Sequence, residues 1–574
     1  MLAHVPASAS ASASAEFQML AQRFLDERHE ESPTSATSAG LHQLDHLMDE
    51  MSAEAHQASL SSLKATRAQV LALPEDVLPL EFQVDRSLLL NAIERGILEL
   101  EEVRSWEWNP LVYAQLLGGG LFSLISRDFA PLPERMESVI ARLRQVPRVL
   151  TQAQQNLQQT CKIHVETAIG QNIGLEHLID RDLRTLSEQV SPLSAAFDEA
   201  AQMALRALHT HGQWLKTEGM ARASRRPQLG RDLWERKLSL TLESDFTADE
   251  VLARAHGTID QVRGALYELG VELLGAHGGS RFPAKPDDAT RRQVIHEALE
   301  LANGERVDAS YLLQEIRQAV KECERFTRTH DLITLPEEPL DVIELPEFMK
   351  GVGVAYCASP GPYERHLKTY YMASPPPSSW SPAQAESFLR EYNVWMLRNL
   401  SVHEAIPGHY VQLAHANRYP SVLRAILASG TFVEGWAVYS EKLMADLGFA
   451  DDLRLKLMQL KMQARVSANA ILDQWVHVYD RSEADAMQLM VEETFQEERE
   501  AAGKWRRAQL TACQLSTYFV GLQEWLTLRR DAEAAADAQH QKLHLRRFHD
   551  RALSYGSPPM RWVRKLLLAD GGLV

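Results

Sequence analysis

The most informative part of the sequence is Ser401-Val-His-Glu-Ala-Ile-Pro-Gly-His-Tyr410. It ends a segment, Ser381 to Glu404, whose pattern predicts a helix with a proline at its first position. Pro407 lacks a backbone N–H and disfavours helical geometry at Ile406, while Gly408 allows turns that other residues rarely adopt. The stretch therefore predicts a helix that breaks directly after a His-Glu pair.

This break decides whether the two histidines of the stretch can share a metal ion. His403-Glu404 invites comparison with the HExxH zinc motif, whose two histidines lie one helical turn apart and whose glutamate is the base. Here the next histidine is His409, which an unbroken helix would place about 9 Å further along the axis and rotated by about 240°. We expect the break to bring His409 back towards His403. The alternative is a helix end with two incidental histidines.

A later segment, Gly430 to Glu441, offers further ligands. Glu434 and Glu441 are seven residues apart, so they share one face of a helix whose other residues are typical of a buried element. Buried carboxylates need a partner, and a metal ion is one of the few adequate ones. We expect Glu434 to be the third metal ligand and Glu441 to orient a histidine ring. The alternative pairs each carboxylate with a buried arginine, such as Arg398 or Arg465.

A metallohydrolase also needs a donor for the oxyanion, which tyrosine or histidine usually supplies. His477, Tyr518 and His549 are the candidates in the last hundred residues. Asp473 precedes His477 by four positions in a helical pattern, so we expect it to orient that ring. For each of these side chains the alternative is a hydrogen-bonded place in the core.

Length and composition indicate a large globular protein. The 574 residues are 45% hydrophobic and 24% charged, and the net charge of −17 is spread along the chain, which disfavours a nucleic-acid partner. The four cysteines form no CxxC pair and are expected to be free thiols. No apolar run reaches the roughly 20 residues of a membrane span, and the Ala/Ser-rich start lacks the features of a signal peptide. We therefore expect a soluble, cytoplasmic protein with no membrane partner.

The fold class follows from the periodicity of the apolar residues. Repeats at three and four positions, as in Val139 to Leu157, predict a mainly α fold with many helices. Two strand candidates, Gly351 to Cys357 and Leu367 to Ala373, flank a Pro-Gly turn and predict one small antiparallel β element at about 350–374. We expect three regions: a flexible Ala/Ser tail at 1–15, an N-terminal helical region at 16–240 and a catalytic helical region at 241–574.

Four motifs, taken in order, resemble those of the bacterial domain-of-unknown-function family number 885. They are His403-Glu-x-x-Pro-Gly-His409, Glu434-Gly-Trp-Ala-x-Tyr-x-Glu441, Gln514-x-x-x-Tyr518-x-x-Gly521 and Phe548-His-Asp550. The resemblance covers most of the chain and implies a zincin-like helical fold, distantly like that of zinc carboxypeptidases and angiotensin-converting-type dipeptidases. It implies that His403, His409 and Glu434 bind the metal, Glu404 is the base and Tyr518 is the oxyanion donor. The chain departs from the family pattern at Trp475, where a small glycine is expected.

Together these observations predict a metal-dependent hydrolase with one Zn²⁺ per chain. We expect a peptidase of the carboxypeptidase or dipeptidase type, in which Glu404 takes a proton from water and passes it to the leaving amine. The strand Leu367 to Ala373 is a candidate to pair with an extended peptide. A metal-dependent amidase or esterase acting on a non-peptide, and a non-catalytic helical binding protein, are the alternatives. The oligomeric state stays open, a homodimer included.

Overall fold

The structure, a computed structural model, describes residues 7–276, 282–283, 285–345, 355–377 and 380–571. Helices make up most of these residues, which confirms the mainly α fold. The helices of the first part of the chain are Ala7–Glu31, Pro33–Ala39, Ala53–Ala72, Leu80–Leu98, Leu111–Phe122, Leu132–Leu143, Val146–Asn156, Lys162–His177, Arg184–Ser187, Ser194–Trp214 and Arg231–Leu242.

The second part of the chain continues the helical body and contains the candidate site. Its helices are Ala248–Ala276, Asp288–Asn303, Leu312–Thr329, Pro382–Glu391, Val394–Glu404, His409–Asn417, Val422–Ile426, Gly430–Asp446, Leu453–Gln474, Glu483–Met487, Glu498–Leu510, Gln514–Ala538, Leu545–Leu553 and Met560–Ala569. None of the helices in the described ranges is long and apolar enough to cross a membrane. The four cysteines are free, as expected.

The predicted flexible tail at 1–15 is wrong for residues 7–15, which belong to helix Ala7–Glu31. Alanine has the highest helix propensity of all residues, so an Ala/Ser alternation readily continues a helix. Ala13 and Phe17, one turn apart, are both buried and fix this helix on the N-terminal core. Residues 1–6 lie outside the described ranges. The predicted boundary between residues 240 and 241 stays a prediction.

The predicted antiparallel pair is present in the described residues, but the sheet that contains it is larger; residues 351–354 of the predicted first strand lie outside the described ranges. Ala355–Ala358 pairs antiparallel with Thr369–Ala373, and a third strand, Leu340–Glu344, pairs parallel on the other side of Thr369–Ala373. The third strand has only one fully buried residue, and its parallel partner lies far along the chain, so neither pattern nor turn indicates it. A second two-stranded sheet joins Thr160–Cys161 to Ala223–Arg225. The prediction of one antiparallel element therefore missed the parallel third strand and the second sheet.

The predicted helix from Ser381 to Glu404 is two helices, Pro382–Glu391 and Val394–Glu404. The first begins as predicted, with a capping box on Ser381. The second begins because the Asn393 side chain accepts hydrogen bonds of 3.0 Å from the next two free backbone N–H groups. This restart sets the direction of the helix that ends in His403 and Glu404.

Two long helices cross at a pair of glycines and so bring two parts of the site together. Gly430–Asp446 packs along Gln514–Ala538, and Gly435 lies against Gly521 at the crossing. A Cβ atom on Gly521 would clash with the backbone of Thr431 and of Gly435. Only glycine allows this close approach of two backbones. It places Glu434 and Tyr518, which lie beside the crossing on the two helices, at the same cavity.

Candidate metal centre

The helix break occurs where the sequence predicts it. Helix Val394–Glu404 ends at Glu404, and a new helix, His409–Asn417, begins at His409. The Ile406–Pro407 peptide bond is cis, and the N–H of Gly408 donates to the carbonyl of Val402 over 3.0 Å. This turn folds the chain back on the end of the first helix.

Two contacts explain why the turn needs these residues. A Cβ atom at position 408 would clash with the carbonyl oxygen of His403, so only glycine fits there. The indole N–H of Trp436, in the next long helix, donates to the carbonyl of Pro407 over 2.8 Å. The result is that the rings of His403 and His409 lie edge to face with their centroids 4.8 Å apart.

Glu434 completes a triad with the two histidines. Its Oε2 lies 3.7 Å from Nε2 of His403 and 3.4 Å from Nε2 of His409. One ligand atom from each of the three residues lies within 4.8 Å of the others. Zinc ligands at about 2.0–2.2 Å from a tetrahedral ion are about 3.4 Å apart, so these separations suit a shared ion better than direct hydrogen bonds.

Burial of the triad supports the same interpretation. Oε2 of Glu434 is buried and has no hydrogen-bond partner among the described residues. A buried carboxylate oxygen without a donor is costly unless a cation occupies the space in front of it. Nδ1 of His409 is also buried without a partner in the described ranges. The donor set of two imidazole nitrogens and one carboxylate oxygen therefore fits zinc.

Glu441 holds His403 from behind. Nδ1 of His403 lies 2.7 Å from Oε1 of Glu441, and the Asn399 side chain donates to Oε2 over 2.6 Å. The carboxylate can only accept, so Nδ1 carries the proton and Nε2 is free to face His409 and Glu434. This is the arrangement that usually orients a metal-binding histidine.

The alternative, in which buried arginines neutralise the two glutamates, is wrong. Arg398 pairs with Glu322 at 2.9 Å. Arg465 pairs with Glu500 in another part of the cavity. Among the described residues, no lysine or arginine forms an ion pair with Glu434 or Glu441.

Contacts within the triad and with Glu441 shift the pKa of His403 and of Glu434. Burial lowers the pKa of His403, but its contacts with Glu434 and Glu441 outweigh burial and raise it well above the usual value. Burial raises the pKa of Glu434, but His403 and His409 outweigh it and lower the pKa far below the usual value. Since a metal-binding nitrogen must be unprotonated, a cation at this site competes with a proton for Nε2 of His403.

The triad lines a cavity of about 1090 Å³. Glu404, the last residue of its helix, is buried and lines the cavity beside the triad. The strand Ala355–Ala358 contributes Tyr356 to the same wall. A smaller cavity of about 410 Å³ shares Tyr356 with the larger one.

Tyr518 lines the cavity with its hydroxyl group oriented by two donors. Its oxygen accepts hydrogen bonds from Gln514 over 3.0 Å and from Arg507 over 3.3 Å. A tyrosine hydroxyl has one hydrogen to donate, and that hydrogen stays available because both contacts use the oxygen as acceptor. Burial and the nearby Glu434 raise the pKa of Tyr518 to about 12, so the hydroxyl stays protonated at neutral pH.

His477 and Asp473 do not form the predicted pair. The N–H of His477 at Nε2 donates to the carbonyl of Thr511 over 2.8 Å, and its Nδ1 has no partner in the described ranges. Asp473 instead accepts from the backbone N–H of Cys513 and from the hydroxyl of Ser516, both over 2.9 Å. Neither residue lines the cavity of the triad. Both residues instead stabilise the start of helix Gln514–Ala538, which carries Tyr518.

His549 is also placed away from the cavity. Its Nδ1 donates to the carbonyl of Leu332 over 2.7 Å, so Nε2 accepts from the hydroxyl of Tyr439 over 2.8 Å. Its ring packs edge-on against Trp436. Burial lowers the pKa of His549 to about 4, which keeps the ring neutral. The structure therefore assigns this histidine to the core and not to a catalytic position.

Three contributors to the site were not predicted as functional from the sequence. Asn399 supports Glu441, and Trp436 fixes the turn, although both lie within segments that were recognised. Arg507 lies on helix Glu498–Leu510, and no spacing relative to the motifs indicates it. Its role becomes visible only where that helix meets Tyr518 in space.

Comparison with known proteins places the chain among uncharacterised relatives. The family model described as "Bacterial protein of unknown function (DUF885)" matches residues 33–567. No curated protein matches. A solved structure from Shewanella oneidensis, described as "a putative lipoprotein of unknown function", is 31% identical with a TM-score of 0.78 and covers 96% of this chain and 99% of its own. A "putative lipoprotein" from Colwellia psychrerythraea, 17% identical, has a TM-score of 0.76, covers 98% and 99%, and shares the fold.

Proposed function

The chain belongs to the DUF885 family of bacterial proteins, and we propose that it is a zinc-dependent peptidase that cleaves short peptides. The observation that carries this proposal is the convergence of His403, His409 and Glu434 in a cavity that also contains Glu404 and Tyr518. Two histidines and one glutamate are a ligand set of catalytic zinc sites, which keep a fourth position open. One zinc ion per chain is proposed.

The chemistry divides between the ion and the side chains around it. Zinc bound by the triad supplies a Lewis acid that activates water and polarises a carbonyl group. Glu404 accepts the proton of the attacking water as the new C–O bond forms at the peptide carbonyl carbon. The same carboxyl group then gives that proton to the amine nitrogen as the C–N bond breaks. A buried glutamate at the cavity wall is suited to both transfers.

Tyr518 is proposed to stabilise the negative charge that develops on the carbonyl oxygen. Its hydroxyl hydrogen is free to donate, because Gln514 and Arg507 occupy the acceptor positions of its oxygen. Both donors also orient the hydroxyl before the substrate binds. A preorganised donor of this kind typically lowers the activation barrier by about 3–4 kcal/mol.

The cavity wall supports a peptide as the substrate. The strand Thr369–Ala373 is the middle strand of its sheet, so it cannot receive a peptide, contrary to the expectation for Leu367 to Ala373. In the described residues the sheet ends instead at Ala355–Ala358, and this edge strand lines the cavity. An edge strand offers backbone N–H and C=O groups to an extended peptide. We propose that the substrate pairs there.

The variant Glu404→Gln tests the reaction. It should keep its zinc and lose peptide hydrolysis by about 10²–10⁴-fold, because glutamine cannot take up a proton. The assay compares zinc content and kcat/KM on short peptides of different lengths with free and blocked ends. The exposed Glu492→Gln is the control and should keep full activity. An active Glu404→Gln enzyme contradicts the mechanism, and turnover of esters or other amides without peptides contradicts the substrate.

We also propose that the protein works in the cytoplasm. Its four cysteines are free, as is usual in a reducing compartment. Two solved relatives are described as putative lipoproteins, so the proposed location needs a direct test. Cell fractionation with an antibody to the protein should find it in the cytoplasmic fraction, and recovery with membranes or periplasm contradicts the proposal.

A further inference from the structure

Arg507 is a cation in the wall of the metal cavity whose bonding partners are neutral. Its guanidinium group donates hydrogen bonds to Gln514 Oε1 over 2.9 Å and to the hydroxyl of Tyr518 over 3.3 Å. Within the described residues, no carboxylate oxygen lies within 4.0 Å of its guanidinium group. A guanidinium has five N–H donors, so several remain for a ligand.

Two other basic groups that line the cavity, Arg465 and Lys504, already face carboxylates. Arg465 contacts the carboxylates of Glu391 and Glu500, and Lys504 lies 3.9 Å from Glu500. Burial lowers the pKa of Arg507, but Tyr518, Tyr356 and Glu434 outweigh it, so the group stays charged. A charged group of this kind is favourably completed by a ligand carboxylate.

The contact between Arg507 and Tyr518 limits the distance between the carboxylate of a substrate and the carbonyl group that is attacked. Tyr518 is hydrogen-bonded to Arg507 and is proposed to donate to the carbonyl that is attacked. A carboxylate on Arg507 and a carbonyl oxygen on Tyr518 are therefore at most about 11 Å apart along this chain of contacts, with the width of the guanidinium group included. An extended peptide covers that distance in about three residues.

We propose that Arg507 binds the C-terminal carboxylate of the peptide, so that the enzyme cleaves near the C-terminus and requires a free carboxyl group. This inference rests on the proposed peptidase function and adds the class of substrate. It makes Arg507 a specificity residue, and it predicts that peptides with an amidated C-terminus are poor substrates. A guanidinium suits this role because it stays charged and because both hydrogen bonds of Arg507 in the described residues start from Nη2, which leaves the N–H groups of Nε and Nη1 to donate to a carboxylate.

Two substrates and three variants test whether Arg507 binds the C-terminal carboxylate. The zinc-loaded full-length enzyme is assayed with one N-acetylated tripeptide, as the free acid and as the C-terminal amide. We expect kcat/KM of the wild type to be about 100-fold higher for the acid. Arg507→Gln should slow both peptides, because Arg507 also orients the hydroxyl of Tyr518, but it should slow the acid about 100-fold more, so that the preference for the acid is lost; Arg507→Lys should restore part of the preference. The control is Arg530→Gln, which removes an exposed arginine that also bonds to a hydroxyl group, that of Thr527.

The results distinguish an Arg507 that binds the substrate carboxylate from one that only positions Tyr518. If Arg507 only positions the hydroxyl of Tyr518, Arg507→Gln slows both peptides equally and the ratio of their kcat/KM values is unchanged. That result overturns the role of Arg507 in binding the carboxylate, and the proposed peptidase function stands. If the wild type cleaves neither peptide, the proposed function fails. In that event, calorimetry measures the binding of the same acid and amide to the wild type and to Arg507→Gln. If the wild type binds the acid more tightly and the variant does not, Arg507 binds the carboxylate. Equal binding of acid and amide to the wild type, or no binding, overturns the proposal.

Discussion

His403 is held on both sides, by Glu434 in front of its Nε2 and by Glu441 behind its Nδ1. Asn399 fixes the second oxygen of Glu441, so the carboxylate cannot rotate away. At this scale the sequence predicts much of the candidate site: the triad of His403, His409 and Glu434, together with Glu441, follows from the residue types and from the proline-glycine break. Spacing alone cannot show whether His409 reaches His403, because that depends on the path of the turn.

Glu441→Gln tests the support of His403. Glutamine keeps the shape but lacks the charge and can present an amide N–H to Nδ1, so zinc affinity should fall by about 10–100-fold. Competition with a zinc chelator of known affinity measures the change. Asp446→Asn, at the exposed end of the same helix, is the control and should bind zinc as the wild type does. Equal affinity for Glu441→Gln and the wild type would remove Glu441 from the site.

The prediction for Asp473 and His477 was wrong for a reason visible at the same scale. Helix Leu453–Gln474 passes into a π-helical turn, Trp475–Tyr479, just before His477. The wider turn rotates the histidine away from the position that a regular helix gives to the fourth residue after Asp473. Nothing in the local sequence marks that change in pitch.

The elements of the site meet because two helices cross at Gly435 and Gly521. The sequence indicates these helices through their periodicity, and Gly521 belongs to one of the four motifs. It does not indicate that Gly521 meets Gly435, because the partner of a close approach is a property of the three-dimensional packing. The parallel strand Leu340–Glu344 escaped prediction for the same reason, since its partner is distant in the chain.

Gly521→Ala tests the crossing. The added methyl group must push apart backbone atoms of the two helices, so the free energy of unfolding should fall by about 1–3 kcal/mol, with peptide hydrolysis reduced. Urea denaturation measures the stability. Gly257→Ala is the control, because this exposed helical glycine has open space around it and alanine should stabilise the helix by up to about 1 kcal/mol. Equal stability of Gly521→Ala and the wild type would show that the helices do not cross this closely.

Over the whole molecule, several histidines are buried as neutral groups. Burial lowers the pKa of His164, His211 and His549 to about 4 each. Their pKa in the unfolded chain is the ordinary value of 6.5. A group whose pKa is depressed in this way stabilises the fold fully above pH 6.5, and that stabilisation is lost as the pH falls towards 4.

His549→Gln tests this pH dependence. The wild type should lose stability between pH 6.5 and 4, with up to about 3 kcal/mol from His549 alone. Removing the histidine should lower stability at neutral pH, because its bonds to Leu332 and Tyr439 are lost, and should reduce the slope below pH 6.5. Urea denaturation at several pH values measures both effects. The exposed His209→Gln should leave the slope unchanged, and an unchanged slope in His549→Gln refutes the prediction.

The most direct measurement is the zinc content of purified protein by mass spectrometry, after reconstitution and removal of loosely bound metal. We expect about one zinc per chain in the wild type and in Glu404→Gln. We expect near-zero zinc in His409→Ala and Glu434→Ala, with circular dichroism showing that both variants stay folded. Full zinc content in folded His409→Ala or Glu434→Ala, or none in the folded wild type, would contradict the metal centre.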